Sequence, residues 1–217
     1  MPTHADVIAA VQAGDAGKIR GLLQEDPSLA AAKDTNGVSA LMFAFYYRRP
    51  EIAGLLLATK SDLDIFEATA AGKADKVSEI LKKDPQSAKR WSGDGFTALH
   101  LAAFFGHAEI ARILIRQAAD VSATSKNAMK VTPLHSAAAA HNKEIVRLLL
   151  ENDAPADVRQ EGGWTPLHEA AQIGDLEMAR DLLQYRADPQ ARSNDGKTPS
   201  DMAAAKGHHE IVKLLAK

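Results

Sequence analysis

Thr165-Pro166-Leu167-His168-Glu169-Ala170-Ala171-Gln172-Ile173-Gly174-Asp175 has near-copies on both sides of it. Thr97-Ala98-Leu99-His100-Leu101-Ala102-Ala103-Phe104-Phe105-Gly106-His107 and Thr132-Pro133-Leu134-His135-Ser136-Ala137-Ala138 lie upstream, and Thr198-Pro199-Ser200-Asp201-Met202-Ala203-Ala204 lies downstream. Their threonines are 35, 33 and 33 residues apart. A fixed period of that size marks a stack of like supersecondary units. Each residue type has a physical task. Thr caps a helix by accepting a bond from an orphan N–H, and Pro at the first helical position loses nothing by lacking one. The Ala pair lets neighbouring helices approach closely. Gly106, Gly174 and Gly207 end the short helix, where a left-handed residue costs least. A second helix follows, as in Glu144-Ile145-Val146-Arg147-Leu148-Leu149-Leu150, whose apolar stripe is wide enough to touch neighbours on more than one side. Helices this short are marginal alone in water, so stacking must supply the stability.

The Thr-Pro-Leu-His core at this period resembles the ankyrin-repeat family over nearly the whole chain, and is similar to bacterial single-domain members. The resemblance implies an all-α fold: an ankyrin-repeat solenoid of helix-turn-helix units with short β-hairpin fingers, about seven repeats including caps. It implies one domain, 1–217, with units near 3–34, 35–60, 61–92, 93–127, 128–160, 161–193 and 194–217.

Composition narrows the function. The chain is 46% apolar and 25% charged with net charge −2, an ordinary globular balance without excess positive charge for nucleic acid. Cysteine is absent, which excludes disulfides, thiolate metal sites and cysteine nucleophiles. The start, Met1-Pro2-Thr3-His4-Ala5-Asp6, has no basic or apolar leader, and no apolar run is long enough to span a bilayer. A cytoplasmic monomer without membrane insertion is expected.

Taken in order, residues 6–23 read as a degenerate N-terminal cap. The second unit has Ser39 for Thr and Met42 for His. In the third, Leu63 takes the Thr position, only 24 residues after Ser39 and 34 before Thr97, so about nine residues are missing. The missing piece is a finger, and the junction from Leu57 to Leu63 is the expected weak point. Asp26-Pro27 and Asp84-Pro85 read as helix-terminating turns, and Asp94-Gly95 as a finger turn. Two extra residues before Thr132, with Lys130 in place of Gly, reshape the fifth finger. Ser200-Asp201 replaces Leu-His in the C-terminal cap.

His100, His135 and His168 recur one repeat apart, which invites a metal reading. Packed helices are ~10 Å apart, too far for one ion at ~2 Å bonds. The family resemblance instead places this His inside the stack, bonded to the Thr hydroxyl and the next finger. No motif of nucleophile, phosphate loop or metal hydrolase is present, so neither catalysis nor a cofactor is expected. By the same resemblance, the two residues before the helix-ending Gly, and the one before Thr, face the concave surface and finger tips. Tyr46, Tyr47, Arg48, Phe96, Phe104, Phe105, Trp164 and Ile173 form the expected partner surface, with residue types enriched at interface centres. Among the rings, Phe104 is the one best suited to pack on a neighbouring finger instead. The function that follows is a non-catalytic scaffold for a protein partner. The alternative is a regulator or inhibitor subunit of an enzyme, or a small-ligand sensor with a pocket near the shortened finger. With no ligand set to hold an ion, thermal melting is expected to be unchanged after dialysis against EDTA; a drop of several degrees would restore the metal reading.

Overall fold

The structure, a computed structural model, describes residues 1–216. Seven helix-turn-helix pairs follow one another: α1 (His4–Ala13) with α2 (Ala16–Glu25), α3 (Ala40–Tyr46) with α4 (Pro50–Thr59), α5 (Ile65–Ala70) with α6 (Ala74–Lys83), and α7 (Ala98–Phe105) with α8 (Ala108–Arg116). The remaining pairs are α9 (Pro133–Ala139) with α10 (Lys143–Glu151), α11 (Pro166–Ile173) with α12 (Leu176–Gln184), and α13 (Pro199–Lys206) with α14 (His209–Leu215). The first helices of successive pairs pack in an unbroken inner row from α1 to α13. Loops ahead of α3, α7, α9, α11 and α13 project as fingers, two of them closed by a single bridge, Lys33 with Ser39 and Trp91 with Thr97.

The caps follow from the repeated residues. Thr97, Thr132 and Thr165 are N-caps, and a His three positions on completes a reciprocal capping box. Gly106, Gly174 and Gly207 are left-handed at φ 79°, 80° and 76°. The two Asp-Pro steps do more than end a helix: Asp26 and Asp84 cap short 3-10 helices, Pro27–Ala31 and Pro85–Lys89.

The third unit departs from expectation. Leu63 is not the cap; Asp64 is, because its carboxylate accepts the Phe66 and Glu67 N–H groups at 3.0 and 2.9 Å, which the Leu side chain cannot do. α5 therefore starts one residue late and is only six residues long. Glu67 stands at the His position, fully buried, and its carboxylate accepts a bond from Lys60 Nζ at 2.5 Å and from the Asp64 N–H at 3.0 Å. An ion pair occupies the place of the missing finger's root.

The packing breaks at this junction. One core cluster runs from Val7 to Leu56 and another from Ile65 to Leu215, with partly buried Leu63 touching both. α4 packs on α2 but makes hardly any contact with α6, so the outer row of second helices is interrupted there. What bridges the gap lies on the finger side, where a small third cluster joins Val38, Met42, Ala70 and Leu101. Above it the fourth unit's finger meets the second's directly: a Cβ on Gly93 would lie 2.2 Å from the Asn36 carbonyl oxygen, so only glycine permits the approach.

Two results are expected at this junction. Amides of residues 60–64 exchange faster than those of α9 and α11, and equal protection would contradict the break. Glu67→Ala leaves Lys60 without its partner and lowers stability by about 3–5 kcal/mol, whereas Lys60→Met combined with Glu67→Met recovers most of the loss. Urea unfolding of the three variants checks this, and a single-variant cost under about 1 kcal/mol would refute the buried pair's role.

Candidate partner-binding groove

Two ladders of hydrogen bonds hold each unit to the next. In the first, the Thr97 N–H and hydroxyl donate to His100 Nδ1 at 3.2 and 2.8 Å, which leaves the proton on Nε2 to donate to the Val131 carbonyl of the next finger at 3.1 Å. His135 repeats this toward Trp164 O at 3.2 Å, and His168 toward Lys197 O at 3.0 Å. Burial pulls His100 and His135 down from 6.5 to about 4, against the raising effect of their carbonyl partners, and lowers His168 for the same reason. The second ladder joins helix ends. His107 Nε2 donates to Ala70 O at 3.1 Å, Asn142 Nδ2 to Ala103 O at 2.6 Å, and His208 Nε2 to Gln172 O at 3.1 Å. Adjacent fingers also share backbone bonds: Lys126 N–H to Gly95 O, Glu161 N–H to Met129 O, and Asn194 N–H to Gly162 O, at 2.9, 2.9 and 2.8 Å.

On the finger side of α7 and α9 these constraints leave an apolar groove of about 420 Å³. Leu101, His100, His135 and Ser136 floor it; Phe96, Met129 and Val131 wall it from the fingers, and Phe104 from the helix end. Its width comes from the fifth unit, where Ser136 and Ala139 fill the places held in the fourth by Leu101 and Phe104. The far wall is Tyr46, which belongs to the second unit. Its hydroxyl donates to Asp94 at 2.6 Å and its ring stacks on Phe105 at 5.9 Å, both in the fourth unit. The small Ala70 and Ala71 of the intervening unit make room for this contact. Burial, then the facing Asp94 carboxylate, raises the Tyr46 phenol far above its usual value, so it remains a donor.

Of the residues expected at a partner surface, Tyr46, Phe96 and Phe104 line the groove. Phe104 is 45% exposed, so it is not the ring that packs on a neighbour; Phe105 is, half-buried against Tyr46 and Phe45. The helix direction explains the exchange, since position 105 points back along the stack toward the second unit and 104 points into the concavity. Tyr47, also 45% exposed, stacks on Phe43 beyond the groove, and Arg48 is exposed with φ 52° at the position that all units but this and the fifth, which has His141, give to Gly. Trp164 and Ile173 do not line the groove: both are half-buried on the large core, Trp164 stacked over His168 at 6.1 Å. Sequence reasoning missed Met129, 49% exposed at the finger tip, and with it Asp94, Ser136 and Gln160. The two-residue insertion ahead of Thr132 was the available signal for Met129. Among the described residues no three metal-ligating side chains converge, and no helix is long and apolar enough to cross a membrane.

Residues 65–161 and 134–217 match the family model described as ankyrin repeats (3 copies). The chain belongs to the ankyrin-repeat family. Ankyrin repeats generally mediate protein–protein contacts and are typically non-enzymatic. Relatives include Ankyrin repeat and SAM domain-containing protein 6 of Mus musculus, 36% identical over 102 residues, which cover 47% of this chain and 11% of the mouse protein. Probable E3 ubiquitin-protein ligase XBOS31 of Oryza sativa subsp. japonica is 37% identical over 94 residues, 43% of this chain and 21% of the rice protein. Neurogenic locus notch homolog protein 1 of Xenopus laevis is 34% identical over 93 residues, 42% of this chain and 4% of its own length. The ankyrin chain thus matches only about a tenth of the mouse relative's length.

The first ladder predicts an acid-sensitive stack. His100 and His135 are neutral when folded, while in the unfolded chain they protonate below about 6.5, so the unfolded state binds more protons between about 6.5 and 4. Stability is full above that window and falls as pH drops through it, by roughly 1.4 kcal/mol per pH unit for each histidine. Urea midpoints measured from pH 7.5 to 5 are expected to fall accordingly, and His100→Gln with His135→Gln to flatten the slope. An unchanged slope in the double variant would assign the acid sensitivity elsewhere.

Proposed function

We propose that this chain is a non-catalytic scaffold that holds a protein partner on its concave face, with the groove between the fourth and fifth units as the anchor site. The observation that carries this reading is the exposure of Phe104 and Met129 on the two sides of one apolar hollow. Leaving a large apolar side chain in water forgoes about 1.5–3 kcal/mol of burial, and anchor residues of interfaces sit in such hollows. Tyr47 and Arg48 extend the same face beyond the groove, and Phe105 and Trp164 support it from behind.

The rival, a metabolite pocket near the shortened finger, is less favoured. The hollow beside Leu57, Lys60 and Leu63 is about 550 Å³ but broad and open. Two of its three lysines are already engaged, Lys60 with Glu67 and Lys76 with Asp62 and Glu79. A regulator of an enzyme would use the concave face as any other protein partner does, so that alternative is a matter of which partner binds.

Affinity capture from the native cell, with wild type and variants as bait, tests the proposal. Phe104→Ala and Met129→Ala are expected to change stability by less than about 1 kcal/mol and to weaken recovery of the captured partner at least about tenfold. Phe105→Ala is expected to cost about 2–3 kcal/mol of stability, below the 3–5 of a fully buried ring, because it is packed between units. Full recovery by the Phe104 and Met129 variants would move the site off the groove.

A further inference from the structure

We infer that the groove selects a basic, amphipathic segment of its partner: one bulky apolar side chain seated between Phe104 and Met129, with a neighbouring Lys or Arg reaching the carboxylates at the groove's ends. This rests on the scaffold reading above and adds the chemistry of the occupant. The apolar part follows from the shape. Ser136 and Ala139 leave a depth that the protein's own side chains do not fill, and Phe104, Phe96 and Met129 rim it.

The charge preference follows from what surrounds that hollow. Asp94 lines one end, and at the other Gln160 donates to Glu169 at 3.2 Å. Neither Asp94 nor Glu169, nor Glu161 in the same finger as Gln160, forms an ion pair among the described residues, whereas the outer helices pair their carboxylates across units, as in Arg112 with Glu144 and Lys143 with Glu177. Burial raises the pKa of Glu169, opposed by the hydrogen bond from Gln160 and by nearby His141. Two exposed cations of these fingers, Lys130 beside Met129 and Arg159 beside Gln160, pair with none of the three, and Arg159 donates instead to the Gly163 and Arg192 carbonyls. Ser136 lines the floor, and its hydroxyl bonds to no described residue while staying within reach of solvent. A backbone amide or carbonyl of an occupant would satisfy it.

The test is a selection from a phage-displayed random 12-residue library on the immobilised full chain, followed by fluorescence anisotropy with a synthetic labelled copy of the most enriched peptide. The expected consensus holds a bulky apolar residue with Lys or Arg close by. Ala139→Trp, which fills the hollow from an exposed helix position, is expected to weaken binding at least tenfold. Glu169→Gln is expected to weaken it three- to tenfold, and more at low salt, with melting curves unchanged in both variants. Peptides that are acidic or uncharged yet still blocked by Ala139→Trp would overturn the charge preference while leaving the groove as a binding site. Peptides indifferent to Ala139→Trp, no enrichment at all, or self-association of the chain through this face would overturn the groove as the peptide site.

Discussion

The Nε2–H of a buried histidine, donated to a carbonyl of the next finger, is the contact on which the middle of the stack depends. A single such bond contributes only about 0.5–1.5 kcal/mol net, and its importance lies in what it fixes. Helices of six to ten residues have no stability of their own, so each exists only where its neighbour holds it in register. His100, His135 and His168 tie a helix start to its own cap and to the following finger in one move, which sets both the local turn and the stacking step. Because the imidazole must accept at Nδ1 and donate at Nε2, only the neutral ring serves. The same geometry that orders the units makes protonation disruptive.

Where this contact is lost, the molecule reorganises. The second unit offers Met42 at the histidine position and the third offers no finger to bond to, so the core divides there. Lys60 and Glu67 close the wound from the helix side with a buried ion pair, and the fourth finger closes it from the other side by resting Gly93 on Asn36. The by-product is the groove proposed as the partner site. Tyr46 reaches over the third unit to Asp94 and Phe105, and so becomes a wall of a groove that two regular neighbouring units would not have formed.

The sequence carried the architecture openly because it is written several times over: Thr, His, Ala-Ala and Gly at one spacing leave little freedom for helix starts, stops and packing faces. The irregular unit was harder. Aligning back from Gly72 puts Leu63 at the cap, but a cap is decided by which side chain can accept an N–H, and that is Asp64. Phe104 and Phe105 are chemically alike and adjacent, so only their direction along the stack separates an exposed ring from a packed one. The second ladder, through His107, Asn142 and His208, was hidden because those residues bond to carbonyls about 36 to 39 positions away, a relation between units that no single motif displays. Met129 and Gln160 belong to finger tips, where the repeat pattern constrains least.

The missing finger also has a geometric meaning. Between the second and fourth units the helix layer takes two steps, each close to the ~10 Å thickness of a packed helix, while the finger layer takes one. Two layers of unequal length joined along their edges cannot both stay straight, so the stack must bend toward the fingers at this point. The length of a loop therefore bears directly on the aperture of the concave face. A chain of this kind can be opened or tightened around a differently sized partner by restoring or deleting a single finger, with every helix sequence left as it is.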